Sequence, residues 1–134
     1  MVSVPNFQSG QILCLEHGHT RLYAELIQIA PKNKNQRGWV RPLVLQVSAT
    51  EATTSSGVAP HSSAILDQLH FYDLRQGADL LCPIILFRAA LDTEVIPLLA
   101  QLANIKTQAS GDRTAYKQLQ RFICNICQAH SESF

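Results

Sequence analysis

Cysteine and histidine side chains recur at short spacings near both ends of the sequence. They form two patterns, Cys14-x2-His17-x-His19 and Cys124-x2-Cys127-x2-His130. Thiolate and imidazole groups at such spacings are the ligands of structural zinc sites. One alternative interpretation is therefore a zinc site that takes its ligands from both ends of the chain: Cys14, His17, Cys124 and Cys127.

The surroundings of the second pattern favour buried thiols over metal ligands. Cys124 and Cys127 lie in a predicted apolar helix beside Phe122, Ile123 and Ile126, where cysteine packs as a small hydrophobic side chain. The pair is also near the end of that helix, whereas a reactive Cys-x2-Cys thiol is usually activated at a helix N-terminus. The sequence therefore predicts free cysteines, no metal and no cofactor.

Other catalytic patterns are not found in the sequence. The serines cluster near His61 without a Gly-x-Ser-x-Gly turn. Asp73, Asp79 and Asp92 are separated by apolar residues and are typical of turns and helix caps rather than of a pair of catalytic carboxylates. The glycines stand singly, so no phosphate-binding loop is indicated. We expect a protein that is not an enzyme.

A group of basic and aromatic residues is the best candidate for a binding site. Its members are Tyr23, Lys32, Lys34, Arg37, Trp39 and Arg41. In small barrels such a combination binds single-stranded nucleic acid, where basic groups neutralise phosphates and aromatic rings stack on bases. The net charge of only +1 argues against affinity dominated by phosphates. We therefore predict a protein partner for this site and keep nucleic acid as the alternative.

The first two thirds of the sequence alternate as strands do. We expect strands at 11–16, 21–30, 39–47, 69–74 and 81–87, with a turn at Gly18 and a bulge or sheet edge at Pro42. Residues 48–63 are small and polar and predict a mobile loop. The last strand is apolar nearly throughout, which is typical of a central strand covered on both faces.

After Leu91 the apolar residues recur with a helical period. Asp92 or Thr93 is expected to cap a first helix, and a second is expected at 113–130. The 134 residues fit a single domain: a β-barrel over 1–91, then a helical hairpin over 92–134. The fold class is therefore α+β, with a small five-stranded antiparallel barrel, SH3-like or else of the oligonucleotide-binding type, followed by two C-terminal helices.

The longest apolar run, Leu80 to Phe87, is far shorter than the roughly 20 residues of a membrane-spanning helix. The first ten residues lack the basic and apolar regions of a secretion signal. We expect no membrane span and a cytoplasmic location.

Three stretches of the sequence, YAELIQ (23–28), RGWVRPLVL (37–45) and DLRQGADLLCPIILFRAALDTEVIPLLAQL (73–102), resemble a family of small uncharacterised cyanobacterial proteins. The resemblance implies a cyanobacterial cytosol, with partners among photosynthetic or regulatory assemblies. It implies no activity and no site residue.

These observations together predict a non-catalytic adaptor, or an assembly or regulatory factor, because no catalytic site is apparent. Its predicted contact surfaces are the barrel edge at Trp39 and the outer faces of the C-terminal helices. Those helices could also join two copies of the chain as a homodimer.

Overall fold

A computed structural model describes residues 7–30, 36–48, 69–104 and 113–131. It confirms the α+β class: an antiparallel sheet of six strands is followed by two C-terminal helices. The strands are β1 (Ile12–His17), β2 (Thr20–Ala30), β3 (Arg37–Ser48), β4 (Leu69–Asp73), β5 (Leu80–Pro83) and β6 (Phe87–Ala89). A short 3-10 helix (Ile84–Leu86) links β5 to β6, and the helices are α1 (Asp92–Asn104) and α2 (Arg113–Ala129).

Hydrogen bonding orders the strands β4-β3-β2-β1-β6. The 12-residue strand β3 is long enough to pair with β5 along its first part and with β4 along its last part. Within the described ranges no ladder joins β6 to β4 or β5, so the sheet is open. The predicted turn between β1 and β2 is confirmed, and Gly18 there has a φ of 61°, which favours glycine.

The predicted strand over 81–87 is wrong in extent and in position. β5 ends at Pro83, which has no N–H with which to continue a ladder, and the chain then turns through the 3-10 helix. The two resulting strands, β5 and β6, pair with different neighbours, β3 and β1. The sheet therefore has six strands where five were predicted, and the apolar run lies at its margins rather than at its centre.

Of the two alternatives expected at Pro42, a bulge or a sheet edge, the structure shows the bulge. The register between β2 and β3 shifts between Tyr23 and Ala24, which face Val44 and Pro42 and leave Leu43 without a direct partner. A bulge lets proline occupy a central strand because one residue at the bulge makes no hydrogen bond in the ladder.

The sheet separates two apolar clusters. Leu13 and Leu15 of β1 point to one face and Cys14 to the other, as alternation along a strand requires. The larger cluster includes the buried side of α2, made by Ala115, Leu119, Phe122 and Ile126. The smaller cluster holds Cys14, Tyr23 and Val44 together with Leu98 and Leu102 of α1.

The two helices thus bury their apolar side chains on opposite faces of the sheet. The sequence predicted a helical hairpin, in which the helices would pack on each other. Their periodicity shows that each has an apolar side, but it does not say against which face of the sheet that side packs. For the described part of the chain we call these two sides of the molecule the α1 side and the α2 side.

Helix α1 begins one residue earlier than the expected caps allow. The backbone N–H of Glu94 and of Val95 donates to the carbonyl of Leu91, so Leu91 is the capping residue. In return a carboxylate oxygen of Glu94 accepts the N–H of Leu91 at 2.8 Å. This is the glutamate half of a capping box. Neither α1 nor α2, the helices that the structure describes, is long and apolar enough to cross a membrane.

Candidate functional site

Trp39 is the third residue of β3. Its neighbour Val40 points to the α2 side, so alternation along the strand places Trp39 on the α1 side. Its indole Nε1–H donates to Oδ2 of Asp79 at 2.9 Å. Arg41 Nε donates to Oδ1 of the same carboxylate at 3.3 Å. The indole donor and then the guanidinium hold the pKa of Asp79 below its usual range. The carboxylate thereby fixes the orientation of the ring while 43% of Trp39 remains exposed.

Leu81 extends this apolar surface. It lies directly opposite Trp39 in the β3–β5 ladder, and residues opposite each other in a ladder share a face of the sheet. Its exposure is 55%. Its neighbour Cys82 points to the other face and is buried there. A large aromatic and a large aliphatic side chain therefore stand together in solvent, on strands that the sheet keeps rigid.

Helix α1 and its capping residue Leu91 expose further apolar side chains. Leu91 is 62% exposed and Ile96 66%, with Leu99 at 43%. From Val95 to Ala103 the helix carries no charged residue. A helix that is apolar on its outer as well as its inner side is typical of one covered on both sides.

We call Trp39, Leu81, Leu91, Ile96 and Leu99 together the α1-side surface. Of the large hydrophobic residues that are exposed in the described ranges, only Ile85 in the 3-10 helix lies outside it. The exposed side of α2 is polar instead, with Arg113, Lys117, Gln120, Arg121 and Gln128. Large apolar side chains that are exposed together on one side of a small protein are more typical of an interaction surface than single scattered ones.

A network of charged groups fastens the start of α1 to the sheet. The Arg88 guanidinium binds the Glu94 carboxylate through two hydrogen bonds of 2.8 and 2.7 Å and also donates to Glu16. Tyr23 Oη donates to Glu94 at 3.1 Å, and Arg21 Nε lies 3.3 Å from Glu16. The hydrogen bonds from Arg88 foremost, then those from the Leu91 N–H and from Tyr23, lower the pKa of Glu94 to about 2.

The other end of α1 is fastened by Arg75. Its guanidinium binds the Asp73 carboxylate with bonds of 2.9 and 2.8 Å, and also donates to the carbonyl of Leu102 at 3.1 Å. A cation at a helix C-terminus is favourable because it meets the negative end of the helix dipole. Sequence reasoning missed Arg75 and Arg88. Glu94 lies three residues after the cap at Leu91, but the sequence indicated Asp92 or Thr93 as the cap, so this capping box was missed as well.

The structure brings together only part of the predicted binding site. Trp39 and Arg41 share the Asp79 carboxylate, as described above. Tyr23 is not beside them at the surface: it is 2% exposed and packs under α1, where burial raises its pKa to about 12. Arg37 is half-buried and pairs with Pro83. Lys32 and Lys34 lie outside the described residues.

The alternative zinc ligands are not brought together. Cys14 is buried on the α1 side, where burial raises its pKa to about 12. Cys124 and Cys127 lie on α2, which packs on the face of the sheet opposite to Cys14. Cys124 is exposed and Cys127 is half-buried, so the expectation of buried thiols is wrong for Cys124. His17 ends β1. No cluster of three metal-binding side chains occurs among the described residues. Patterns at two ends of a sequence can form one site only if the fold places them on the same face, and here the sheet lies between them.

Comparison of this chain with protein-family models, with curated proteins and with solved structures gives no match.

Proposed function

We propose that this protein is a non-catalytic protein-binding module and that its partner docks on the α1-side surface. The observation that carries the proposal is the one-sided exposure of large apolar side chains, five of which lie on the α1 side. Tryptophan, leucine and isoleucine side chains in water gain free energy when a partner covers them. Trp39 is suited to anchor the partner, because tryptophan is enriched among residues that dominate binding energy.

The fixed orientation of Trp39 supports the same function. Its indole N–H is already bonded to Asp79, so a partner can cover the ring without leaving that donor unpaired. A side chain held before binding loses less conformational entropy when the complex forms. The sheet and the Asp79 carboxylate therefore hold the ring in a fixed orientation in which an apolar partner can contact it.

The same carboxylate disfavours the nucleic-acid alternative. Asp79 lies between the aromatic ring that would stack on a base and the guanidinium that would neutralise a phosphate. A negative charge there repels phosphates and already satisfies part of the charge of Arg41. Tyr23, the second ring of that model, is buried under α1.

We also propose that the sheet belongs to the small SH3-like barrels. The support is the sharing of β3 between β5 and β4, and the 3-10 helix that carries the chain from β5 across to β6 beside β1. A long strand that pairs with two other strands in succession is compatible with a small barrel, in which the sheet curls towards closure. On this proposal α2 covers the interior of the barrel, which is the larger apolar cluster, and α1 packs on the outside of the barrel.

The test of the protein-binding function is affinity capture with the full chain, tagged and immobilised, from a cyanobacterial extract. We compare wild type with Trp39→Ala and Ile96→Gln, and use Ile85→Gln as the matched control. Ile85 is exposed to a similar degree but lies outside the α1-side surface. Proteins retained by wild type and by the control should be lost from both surface variants.

Two outcomes would contradict the proposal. The first is retention of the same proteins by the wild type and by both surface variants. The second is binding of single-stranded oligonucleotides with micromolar or tighter affinity at about 150 mM salt, abolished by Trp39→Ala, since nonspecific electrostatic binding is weak at that salt concentration.

A further inference from the structure

A cysteine of β5 and a cysteine of α2 lie on the α2 side of the sheet. Cys82 of β5 belongs to the larger apolar cluster and is 2% exposed. Cys127 is half-buried and directly follows Ile126, which is part of the same cluster. Burial foremost, and then the charge of Cys127, raise the pKa of Cys82 to about 11. The two sulfur atoms are therefore close enough for the charge of one to act on the other.

The path of α2 supports this proximity independently. Near the start of the helix Tyr116 packs on the bend after β4, where a Cβ atom on Gly77 would lie 2.5 Å from Cε1 of the ring. From Tyr116 to Cys127 the helix rises about 16.5 Å, and from Gly77 to Cys82 the chain spans at most about 16–18 Å. Tyr116, Ile123 and Cys127 lie on one flank of α2 by their spacing of seven and four residues, and the first two pack on the larger cluster. The flank that begins at the bend thus reaches the level of β5 at Cys127.

The two thiols differ in their access to solvent. Cys127 is half-buried, so a small oxidant in solution can reach its sulfur. Cys82 is enclosed, and its raised pKa keeps the thiol protonated at neutral pH. Since the thiolate is the reactive form of cysteine, a first reaction with an oxidant takes place at Cys127. Cys82 can then react only with a group that α2 holds next to it.

The other two cysteines of the chain are poorly placed to pair with Cys127. Cys124 is three residues away on the same helix, where Cβ atoms are about 5–6 Å apart. A disulfide requires Cβ atoms about 3.5–4.5 Å apart, so this pairing would distort α2. Cys14 belongs to the cluster on the opposite face of the sheet. Cys82 is therefore the partner that the fold offers to Cys127.

We propose that Cys82 and Cys127 are a redox pair, which a hydroperoxide converts into a disulfide that joins β5 to α2. The Cys127 sulfur attacks the O–O bond of the peroxide, takes up one oxygen as a sulfenic acid and releases an alcohol, or water from hydrogen peroxide. The Cys82 sulfur then attacks the sulfenic sulfur, and the displaced hydroxide leaves as water with the proton of the Cys82 thiol. Two thiols are oxidised and one peroxide is reduced. A dithiol restores both cysteines by exchange.

The experiment treats the reduced full-length chain, at low micromolar concentration, with hydrogen peroxide. The remaining thiols are alkylated in denaturant and the cysteine peptides are mapped by mass spectrometry. In wild type Cys82 should be linked to Cys127, while Cys14 and Cys124 are alkylated, and dithiothreitol should reverse the link. The oxidised chain should also unfold at a temperature about 5–10 °C higher than the reduced chain, because a cross-link between distant residues restricts the unfolded state.

Three serine variants test the roles of the individual cysteines, and circular dichroism verifies that each is folded. Cys82→Ser and Cys127→Ser should each lose the disulfide and the thermal shift, and Cys82→Ser should retain a sulfenic acid at Cys127 that dimedone labels. Cys124→Ser is the matched control on the same helix and should form the disulfide as wild type does. The peptide map of the wild type decides the matter even where a variant does not fold. A disulfide of Cys82 or Cys127 with Cys124, or complete alkylation of Cys82 after the peroxide treatment, overturns the inference.

Discussion

Among the residues that the structure describes, Glu94 makes the most side-chain contacts between α1 and the sheet. Its carboxylate accepts hydrogen bonds from Arg88, Tyr23 and the N–H of Leu91. Each charged hydrogen bond of this type is worth about 1.5–3 kcal/mol, and removing one partner leaves the others unsatisfied. Glu94 is therefore the residue on which the position of α1 depends most.

We expect Glu94→Gln to lower the free energy of unfolding by about 1–3 kcal/mol at pH 7. The pKa of Glu94 is lowered to about 2 in the folded state from an ordinary value of 4.5. Its stabilising contribution is therefore complete above about pH 4.5 and is lost as the pH falls towards 2. Urea unfolding at a series of pH values should show a steeper loss for wild type than for Glu94→Gln between pH 5 and 2.

The matched control at this scale is Glu25→Gln, which removes a half-buried carboxylate of the neighbouring strand. At pH 7 it should change the free energy of unfolding by no more than about 0.5 kcal/mol, as most substitutions away from the core do. Equal slopes for wild type and Glu94→Gln would mean that the Arg88 contact does not lower the pKa of Glu94, and that α1 is held by the packing of Leu98 and Leu102 and by the Arg75 contact.

At the scale of elements, the bend after β4 packs closely against α2. A Cβ atom placed on Gly77 would lie 2.5 Å from Cε1 of the Tyr116 ring, closer than carbon atoms can approach. Gly77→Ala should therefore cost about 1–3 kcal/mol, because the ring or the bend must shift. In a Tyr116→Leu background the same substitution should cost less, which a double-mutant cycle of unfolding free energies measures. Equal costs in both backgrounds would show that the bend does not pack on Tyr116.

The sequence predicts individual elements better than the contacts between them. The Gly18 turn and the Pro42 bulge were predictable because each follows from the backbone chemistry of one residue. The break of the last strand at Pro83 was missed, since the apolar residues after it fit a strand and a short helical turn equally well. The shared carboxylate of Trp39 and Arg41 could not be predicted: Asp79 is 38 residues from Arg41, and only the β3–β5 pairing brings them together.

At the scale of the whole molecule, the helices that cover the two sides of the sheet differ in the polarity of their exposed residues. On the α2 side, buried residues of six elements interlock with one side of an amphipathic helix whose other side is polar. On the α1 side a smaller cluster lies beneath a helix that is apolar outside as well. We infer from this asymmetry that the free energy of folding comes mainly from the α2 side. On the proposed function, a partner would cover the apolar area that the α1 side exposes.

One isoleucine on each helix tests this division directly. Ile126 of α2 is 0% exposed and Ile96 of α1 is 66% exposed. Ile126→Ala removes buried methyl and methylene groups and leaves a cavity, so it should lower the free energy of unfolding by about 2–5 kcal/mol. Ile96→Ala replaces an exposed side chain with a better helix former, so at low micromolar concentration it should change stability by no more than about 0.5 kcal/mol. Chemical denaturation of both variants measures the difference. A large loss for Ile96→Ala that persists on dilution would mean that its side chain stabilises the single chain itself, and the α1 side would then be part of the core rather than a surface kept for a partner.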